Sequence, residues 1–378
     1  MNDKEIREIR RRFQPDKSAV SMAYGCYVNE NKKIVTMFEE AITVMPEEDA
    51  ERFLGLFKKS ISGSLGRNLV NLPFSAKQVM ESEQHKMLSV LRQSELKDDG
   101  VREAFFHQVA EHMEMETGYV ILLAHDVYNV PFKAKDDITL DDLADEEFRY
   151  FVCAICPVKQ PAPGLGLNLG ENKVRSTFQG LVLGAPEVGF MFPAFDDRAT
   201  NIYGLLYHTK NTAQNHPELI GNLFGIEPPM PAAEQMATFQ TVLAQSLQED
   251  CSLEVVQAVH GHIAAMIEAH KENKEPEQLL LSKKDVSAAL ADCGVSEERI
   301  SAFEQAFDGS FGEDAMLPPE NILDGRQFFI RTEDTTIKVA PEQSAAVETR
   351  VIDGRKYILI PAGGEVEVNG IEVRIEAR

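Results

Sequence analysis

The chain has 378 residues, enough for two or three domains at roughly 150 residues each, and its 43% hydrophobic and 26% charged residues exclude a disordered or collagen-like polymer. With 61 acidic against 38 basic residues the formal charge is −23, a surface that repels phosphate backbones and anionic lipid. No apolar run approaches the ~20 residues of a membrane-spanning helix; even the stretch 181–194 carries Glu187.

In chain order, Ile6, Ile9 and Phe13 keep helical spacing behind Asn2 or Asp3 as cap, with Pro15 as a stop, and predict a short amphipathic helix. The opening residues carry charge throughout and no apolar segment, so they are not a signal peptide, and a cytoplasmic location is expected. The basic face of this helix (Lys4, Arg7, Arg10, Arg11, Arg12) is read as the solvated side of a docked arm, with a nucleic-acid or anionic contact as the alternative. Two aromatic and β-branched runs flanking Asn29, Glu30, Asn31 and Lys32 predict a hairpin within 19–38. Helices are expected over 46–60, 75–96 and 101–115. The intervening SGSLGRNLVN, with Gly63 and Gly66, lacks the lysine and the spacing of a phosphate-cradling loop.

The run YVILLAHDVYNV (119–130) is the most obvious strand. The acidic stretch after it, 136–148, has no calcium-loop pattern and reads as a solvated connection. Further strands are expected over 148–158, 174–183 and 188–195. The glycines of GLGLNLG (Gly164, Gly166, Gly170) depart from dinucleotide-fingerprint spacing and read as a loop. Five cysteines are an odd and sparse set that fits reduced thiols. Cys153 and Cys156 lie in FVCAICPVK, where three-residue spacing on a strand sends side chains to opposite faces, so they read as core residues rather than a redox pair or metal site.

From residue 217 the pattern turns helical, over 217–224, 232–249, 252–272, 282–293 and 296–307. The cadence of ALADCGVSEERISAFEQAF resembles a helix-turn-helix, yet its second helix offers Glu297, Glu298 and Glu304 against Arg299, which disfavours DNA. The tail, from about residue 321, alternates in short runs with Asp353-Gly354 and Asn369-Gly370 as hairpin turns.

The densest polar cluster is FMFPAFDDRATNIYGLLYHTKN (190–211). Asp196, Asp197 and Arg198 follow an apolar strand directly, and Asn201, His208 and Lys210 come within the next turn or strand; these six are the candidate ligand-binding residues. Periodicity leaves 198–209 open between helix and strand. Nothing there identifies a nucleophile, base and orienter as a unit, so catalytic residues and cofactors stay unassigned. His107 and His112 on one helix diverge by about 140°, and His260 and His262 by about 200°, so neither pair suits a metal, and no metal site is expected.

The segments EIRRRFQPDK, GCYVNENK, FVCAICPVK and FMFPAFDDRATNIYGLLYHTKN resemble a family of uncharacterised bacterial proteins, mostly of Gram-positive anaerobes, known as a domain of unknown function. The resemblance is densest over 1–215, implies a bacterial cytoplasmic protein, and brings no activity with it.

The expected fold is α+β: a mostly antiparallel sheet domain with flanking helices (1–215), a helical segment (216–320) and a small β module (321–378). The expected function is non-catalytic binding of a protein or small-molecule partner through 196–210, without nucleic acid or membrane, in an undetermined oligomeric state. Two alternatives stay open. One is an enzyme acting on a phosphate-bearing substrate, with the acids holding a divalent ion and Arg198 or Lys210 meeting the anion. The other is a nucleic-acid-associated protein.

Overall fold

The computed structural model describes residues 1–133, 139–159, 165–168, 173–176, 180–273, 277–323, 327–362, 366–368 and 370–374. The chain gathers into two compact units, the first essentially residues 1–232 and the second the residues that follow.

The first unit opens with helix α1 (Asp3–Arg10), closed at its N-terminus by a reciprocal cap in which Asn2 Oδ1 accepts from the Glu5 amide while Glu5 accepts from the Asn2 amide. Strands β1 (Met22–Val28) and β2 (Ile34–Ala41) form the expected hairpin, whose turn is tied by Asn29 Oδ1 accepting from the amides of Asn31 and Lys33. Helix α2 (Glu47–Lys59), with acids in its first turn, and strand β3 (Leu69–Pro73) follow. The single helix expected over 75–96 is instead α3 (Ala76–Glu81) and α4 (Glu83–Gln93). The break falls at Ser82, whose side chain accepts from the His85 amide and so starts a second helix where the first ends. Helix α5 (Asp99–His112) is capped by Asp98.

Strands β4 (Tyr119–Lys133) and β5 (Thr139–Lys159) form one long antiparallel ladder. The ladder draws 139–147 into strand, where charge suggested a solvated connection, because pairing with β4 supplies backbone partners that composition does not reveal; residues 136–138 lie outside the described residues. Short strands β6 (Leu165–Asn168) and β7 (Lys173–Ser176) pair with each other, and β8 (Val182–Leu183) pairs with β5, so the strand expected over 174–183 is two pieces. Of the glycines of GLGLNLG, Gly166 lies in β6, and Gly164 and Gly170 lie outside the described residues. Strands β9 (Val188–Phe192), β10 (Ala194–Asp196), β11 (Ala199–Asn201) and β12 (Gly204–Thr209) and helix α6 (Pro217–Phe224) complete the unit. Residues 198–209 are therefore two strands, 199–201 and 204–209, joined by a turn at Ile202 and Tyr203, and not a helix. The main sheet runs β2-β1-β4-β5-β9-β12-β3, with antiparallel neighbours.

Helices cover both faces of this sheet. Ile121, Leu123, Phe151, Cys153, Ile155, Phe190 and Tyr207 share one core with Leu88 and Leu91 of α4, Phe105 and Val109 of α5, and Leu223 and Phe224 of α6. Their neighbours in sequence, Val120, Leu122, Val152, Ala154, Cys156, Met191 and Leu206, join Ile6 and Ile9 of α1 and Leu54 and Phe57 of α2 on the other face. Burial on both sides explains why the central strands read as continuous apolar runs, although antiparallel sheets commonly leave one face wet. Each fully buried Leu or Phe contributes about 1.5–3 kcal/mol. Cys153 and Cys156 fall on opposite faces, as the strand period requires, and burial pushes the Cys156 thiol up to about 12.

In the second unit, helices α7 (Ala232–Leu247), α8 (Leu253–Asn273), α9 (Lys283–Asp292) and α10 (Glu297–Phe311) pack around Phe239, Leu247, Ile263, Leu290, Phe303 and Phe307. Three separate ribbons follow: β13 (Phe328–Arg331) with β14 (Thr336–Val339), β15 (Glu348–Ile352) with β16 (Arg355–Leu359), and β17 (Val366–Val368) with β18 (Ile371–Val373). Asp353 and Gly354 both take positive φ, at 50° and 75°, as a type I′ turn demands. Asn369 of the second expected turn lies outside the described residues.

Candidate functional site

Strands β10 and β11 are joined by the two-residue turn Asp197-Arg198, with φ of 50° and 57°. Left-handed backbone costs a non-glycine residue about 1–2 kcal/mol, so the turn needs support from elsewhere. That support comes from the far end of the sequence. Arg198 Nη2 and Nε donate to Glu8 at 2.9 and 3.3 Å, and Nη1 donates to the Pro131 carbonyl at 3.0 Å. Glu8 also accepts from the Tyr128 hydroxyl at 2.8 Å, and burial together with that bond pushes the Tyr128 phenol up to about 12. Asp196 meets the amino group of Met1 at 3.2 Å and the Asn201 amide at 3.1 Å.

Beneath this corner Asp126, 1% exposed, accepts from Arg12 Nε at 3.2 Å, the Ala19 amide at 2.9 Å and the Tyr150 hydroxyl at 2.7 Å. Of the residues expected on one basic helix face, Arg11 and Arg12 lie past the end of α1; Arg12 is committed to Asp126 and packs over the Tyr128 ring, and within the helix Arg7 Nε donates to the Asp3 carbonyl. Asp196, Arg198 and Asn201 thus meet at one hairpin and dock α1, with their polar groups satisfied by named neighbours; Asp197 at the same turn is exposed.

His208 and Lys210 lie elsewhere. His208 pairs with Gly189 and Leu69 inside the sheet and is 6% exposed. Burial drives its imidazole down to about 4, so it is neutral, and Nδ1 finds no hydrogen-bond partner among the described residues. Lys210 reaches Glu187 at 3.5 Å, before the start of β9, whereas Asp196 follows its end. The six candidate residues therefore divide between the β10–β11 hairpin, the interior of β12 and the residue after β12, and do not share one hollow.

Lys210 nevertheless leads to a site that sequence reasoning missed. Thr209 Oγ1 lies within hydrogen-bonding distance of the Asn211 and Gln214 carbonyls, at 3.1 and 2.7 Å, and the Lys210 amide donates to the Glu187 carbonyl at 2.8 Å. These bonds fold the chain after β12 into a loop that ends at His216, the residue before Pro217 and α6, held at φ 53° and ψ 66°. A cavity of about 740 Å³ opens there. Its wall combines the end of the β1–β2 turn (Asn29, Glu30, Lys32), the residues after α5 (Met113–Thr117), the start of β4 (Tyr119), Glu187, and the loop (Asn211, Gln214, His216). The sheet register explains the gathering, since Val28 pairs with Tyr119, Tyr119 with Pro157 and Thr209 with Val188.

Two residues of this wall also carry a polar atom that is buried from solvent and has no hydrogen-bond partner among the described residues: the hydroxyl of Tyr119, a residue 1% exposed, and Nε2 of His216, 6% exposed. An unpaired buried polar group costs about 1–3 kcal/mol, and native structures contain few. Burial pushes the Tyr119 phenol up and the His216 imidazole down; Glu187 and Glu114 pull His216 the other way without reversing it. Both groups are neutral hydrogen-bonding partners near pH 7. Left-handed backbone at His216 borders this concavity, and strained residues cluster at ligand sites. Among the described residues no group of three or more His, Cys, Asp or Glu side chains is placed to hold a metal ion. The one signal available beforehand was the non-glycine residue preceding a proline at a helix start, His216-Pro217.

A family model described as a domain of unknown function, DUF4317, matches residues 1–371. No curated protein matches the chain.

Proposed function

We propose that this chain, which belongs to the DUF4317 family, is a non-catalytic ligand-binding protein that takes a small molecule into the cavity between Tyr119 and His216. The observation that carries this reading is a concavity walled by five separate segments of the first unit, with His216 held in left-handed backbone at its edge. A volume of about 740 Å³ lies within the roughly 300–1,000 Å³ typical of small-molecule sites. The 196–210 segment contributes to this reading only at its end, through Lys210 on Glu187.

The phosphate-enzyme alternative loses support because Arg198 is bound to Glu8, Asp196 to Met1 and Asn201, and the cavity wall is acidic. The nucleic-acid alternative is disfavoured by the net charge and by the engagement of Arg12. A cytoplasmic setting fits five free cysteines, and among the described residues no helix is long and apolar enough to cross a membrane.

The test is a small-molecule screen by ligand-observed NMR on the full chain, with each hit re-measured on Tyr119→Phe and His216→Asn; asparagine tolerates the left-handed backbone. Hits that weaken at least tenfold in either variant support the reading. Hits indifferent to both variants, or a hit turned over by the wild type and not by His216→Asn, overturn it.

A further inference from the structure

We infer that a second surface of the first unit, the groove along α2, docks a basic amphipathic helix of a partner protein, whose apolar stripe enters the groove and whose cations meet the carboxylates at its edge. This surface is separate from the cavity at Tyr119 and His216 and does not depend on it.

A cavity of about 890 Å³ lies along α2. Glu48, Arg52, Gly55 and Lys59 line it at helical spacing and form one stripe, about 16 Å long at 1.5 Å per residue. Met45, Phe53, Leu56 and Leu183 supply the apolar wall; each is only partly buried against the core that holds Leu54 and Phe57. Apolar exposure continues in the adjoining residues, with Val44 81% exposed and Leu181 and Val182 also open to solvent. Exposed apolar side chains gathered within a charged rim mark an interaction surface.

Gly55 specifies what the surface fits. It lies in the interior of α2, where glycine destabilises a helix relative to alanine. Its backbone is helical and a Cβ added there would meet nothing within 4 Å, so neither conformation nor packing within the chain requires it. Bare backbone in the middle of the stripe allows another element to approach closely, and a groove about three turns long suits the apolar face of a helix.

Charge selects the partner. Glu40, Glu48, Asp49 and Glu51 border the groove against Arg52 and Lys59, and Arg52 is already engaged by Glu48 and Asp49. That leaves the exposed Glu40 and Glu51 to meet a partner's cations. A net negative rim on a chain of charge −23 attracts a cationic helix and repels an acidic one, and it equally repels lipid or nucleic-acid phosphate. The basic helix of this chain is not the occupant, since α1 is tied to Arg198 through Glu8 and buries Ile6 and Ile9 in the sheet's core.

The experiment is fluorescence anisotropy of the full chain with three labelled peptides of about five helical turns, at an ionic strength of about 0.15 M. The first has leucines on one helical face and lysines on the other, the second has glutamate in place of lysine, and the third is the first scrambled so that no apolar face forms. The first is expected to bind at least tenfold more tightly than the others. Gly55→Met, which fills the stripe, and Phe53→Ser, which removes apolar wall, are each expected to weaken it tenfold or more; Gly55→Met keeps the test open should Phe53→Ser destabilise the fold. Gly55→Ala is expected to raise the melting temperature of the free protein while weakening the peptide threefold or more. Glu51→Lys weakens it threefold or more, whereas Glu103→Lys, on α5 across the sheet, leaves it unchanged. Binding indifferent to Gly55→Met, or reduced as much by Glu103→Lys as by Glu51→Lys, is attraction to the acidic surface at large and overturns the assignment. Equal binding of the second or third peptide, or no binding of the first, overturns it too. The screen with Tyr119→Phe and His216→Asn decides the ligand-binding reading separately.

Discussion

The hydroxyl of Tyr207 donates to the carbonyl of Asn215 at 3.0 Å, from a side chain 1% exposed. This bond ties the interior of strand β12 to the loop residue before His216 and fixes the height of the cavity wall from inside the core. Tyr207→Phe removes the donor and leaves a buried carbonyl without it. A loss of about 1–2 kcal/mol is expected, read as a lower urea midpoint at constant slope; an unchanged midpoint would show that the loop is held by other contacts.

Tyr119→Phe should act in the opposite direction. Its hydroxyl has no partner among the described residues, so removing it relieves a buried unpaired group and stabilises the ligand-free protein by about 0.5–1 kcal/mol. Thermal unfolding of ligand-free protein checks this, and a drop in melting temperature counts against the hydroxyl being unsatisfied.

Arg12→Met removes the charge partner of Asp126 while keeping an apolar side chain over Tyr128. Breaking a fully buried pair costs about 3–5 kcal/mol. Here Arg12 is 19% exposed and Asp126 keeps the Ala19 amide and the Tyr150 hydroxyl, so about 2–3 kcal/mol is expected. A double-mutant cycle with Asp126→Asn measures the coupling, and a coupling near zero would contradict the pairing.

His208 makes stability depend on pH. Its folded value, about 4, lies below the ordinary 6.5, so the unfolded chain binds the proton more readily. The contribution is present above pH 6.5 and is lost as pH falls from there through about 4, to a limit of about 3 kcal/mol. His208→Leu removes this dependence, so its stability profile between pH 6.5 and 4 should be flatter than the wild type by one proton. Parallel profiles would mean that His208 titrates normally in the fold.

Gly189 of β9 packs against Ser60, the residue that ends α2. A Cβ there would come within 2.3 Å of Ser60 Cβ and 2.8 and 2.9 Å of the Ser60 and Cys153 carbonyl oxygens. Two of those atoms are backbone and cannot swing aside, so Gly189→Ala is expected to cost about 2–3 kcal/mol, measured by denaturant unfolding. A loss below 0.5 kcal/mol would show that α2 can shift away from the sheet.

Much of the local structure was legible before any coordinates. The helix cap at Asn2 or Asp3, the hairpin within 19–38, the Asp353-Gly354 turn and the separation of Cys153 from Cys156 onto opposite faces all follow from interactions within a few residues, which sequence spacing encodes directly. The division of the 75–96 helix was harder to read, because Ser82 is equally at home in a helix or at its start and only the hydrogen bond it forms with the His85 amide decides.

The sites obey a different physics. That Arg198 meets Glu8 and Asp196 meets the Met1 amino group depends on where α1 docks, and nothing within residues 190–211 records that position. Likewise Tyr119, Glu187 and His216 become neighbours only because β1, β4, β5, β9 and β12 pair in that order. From its residues alone the chain determined an acidic α+β protein with its helices and most of its strands in place. The tertiary structure decided which polar groups are consumed as scaffold and which residues border a cavity, because partners distant in sequence are chosen by packing and strand order rather than by spacing along the chain.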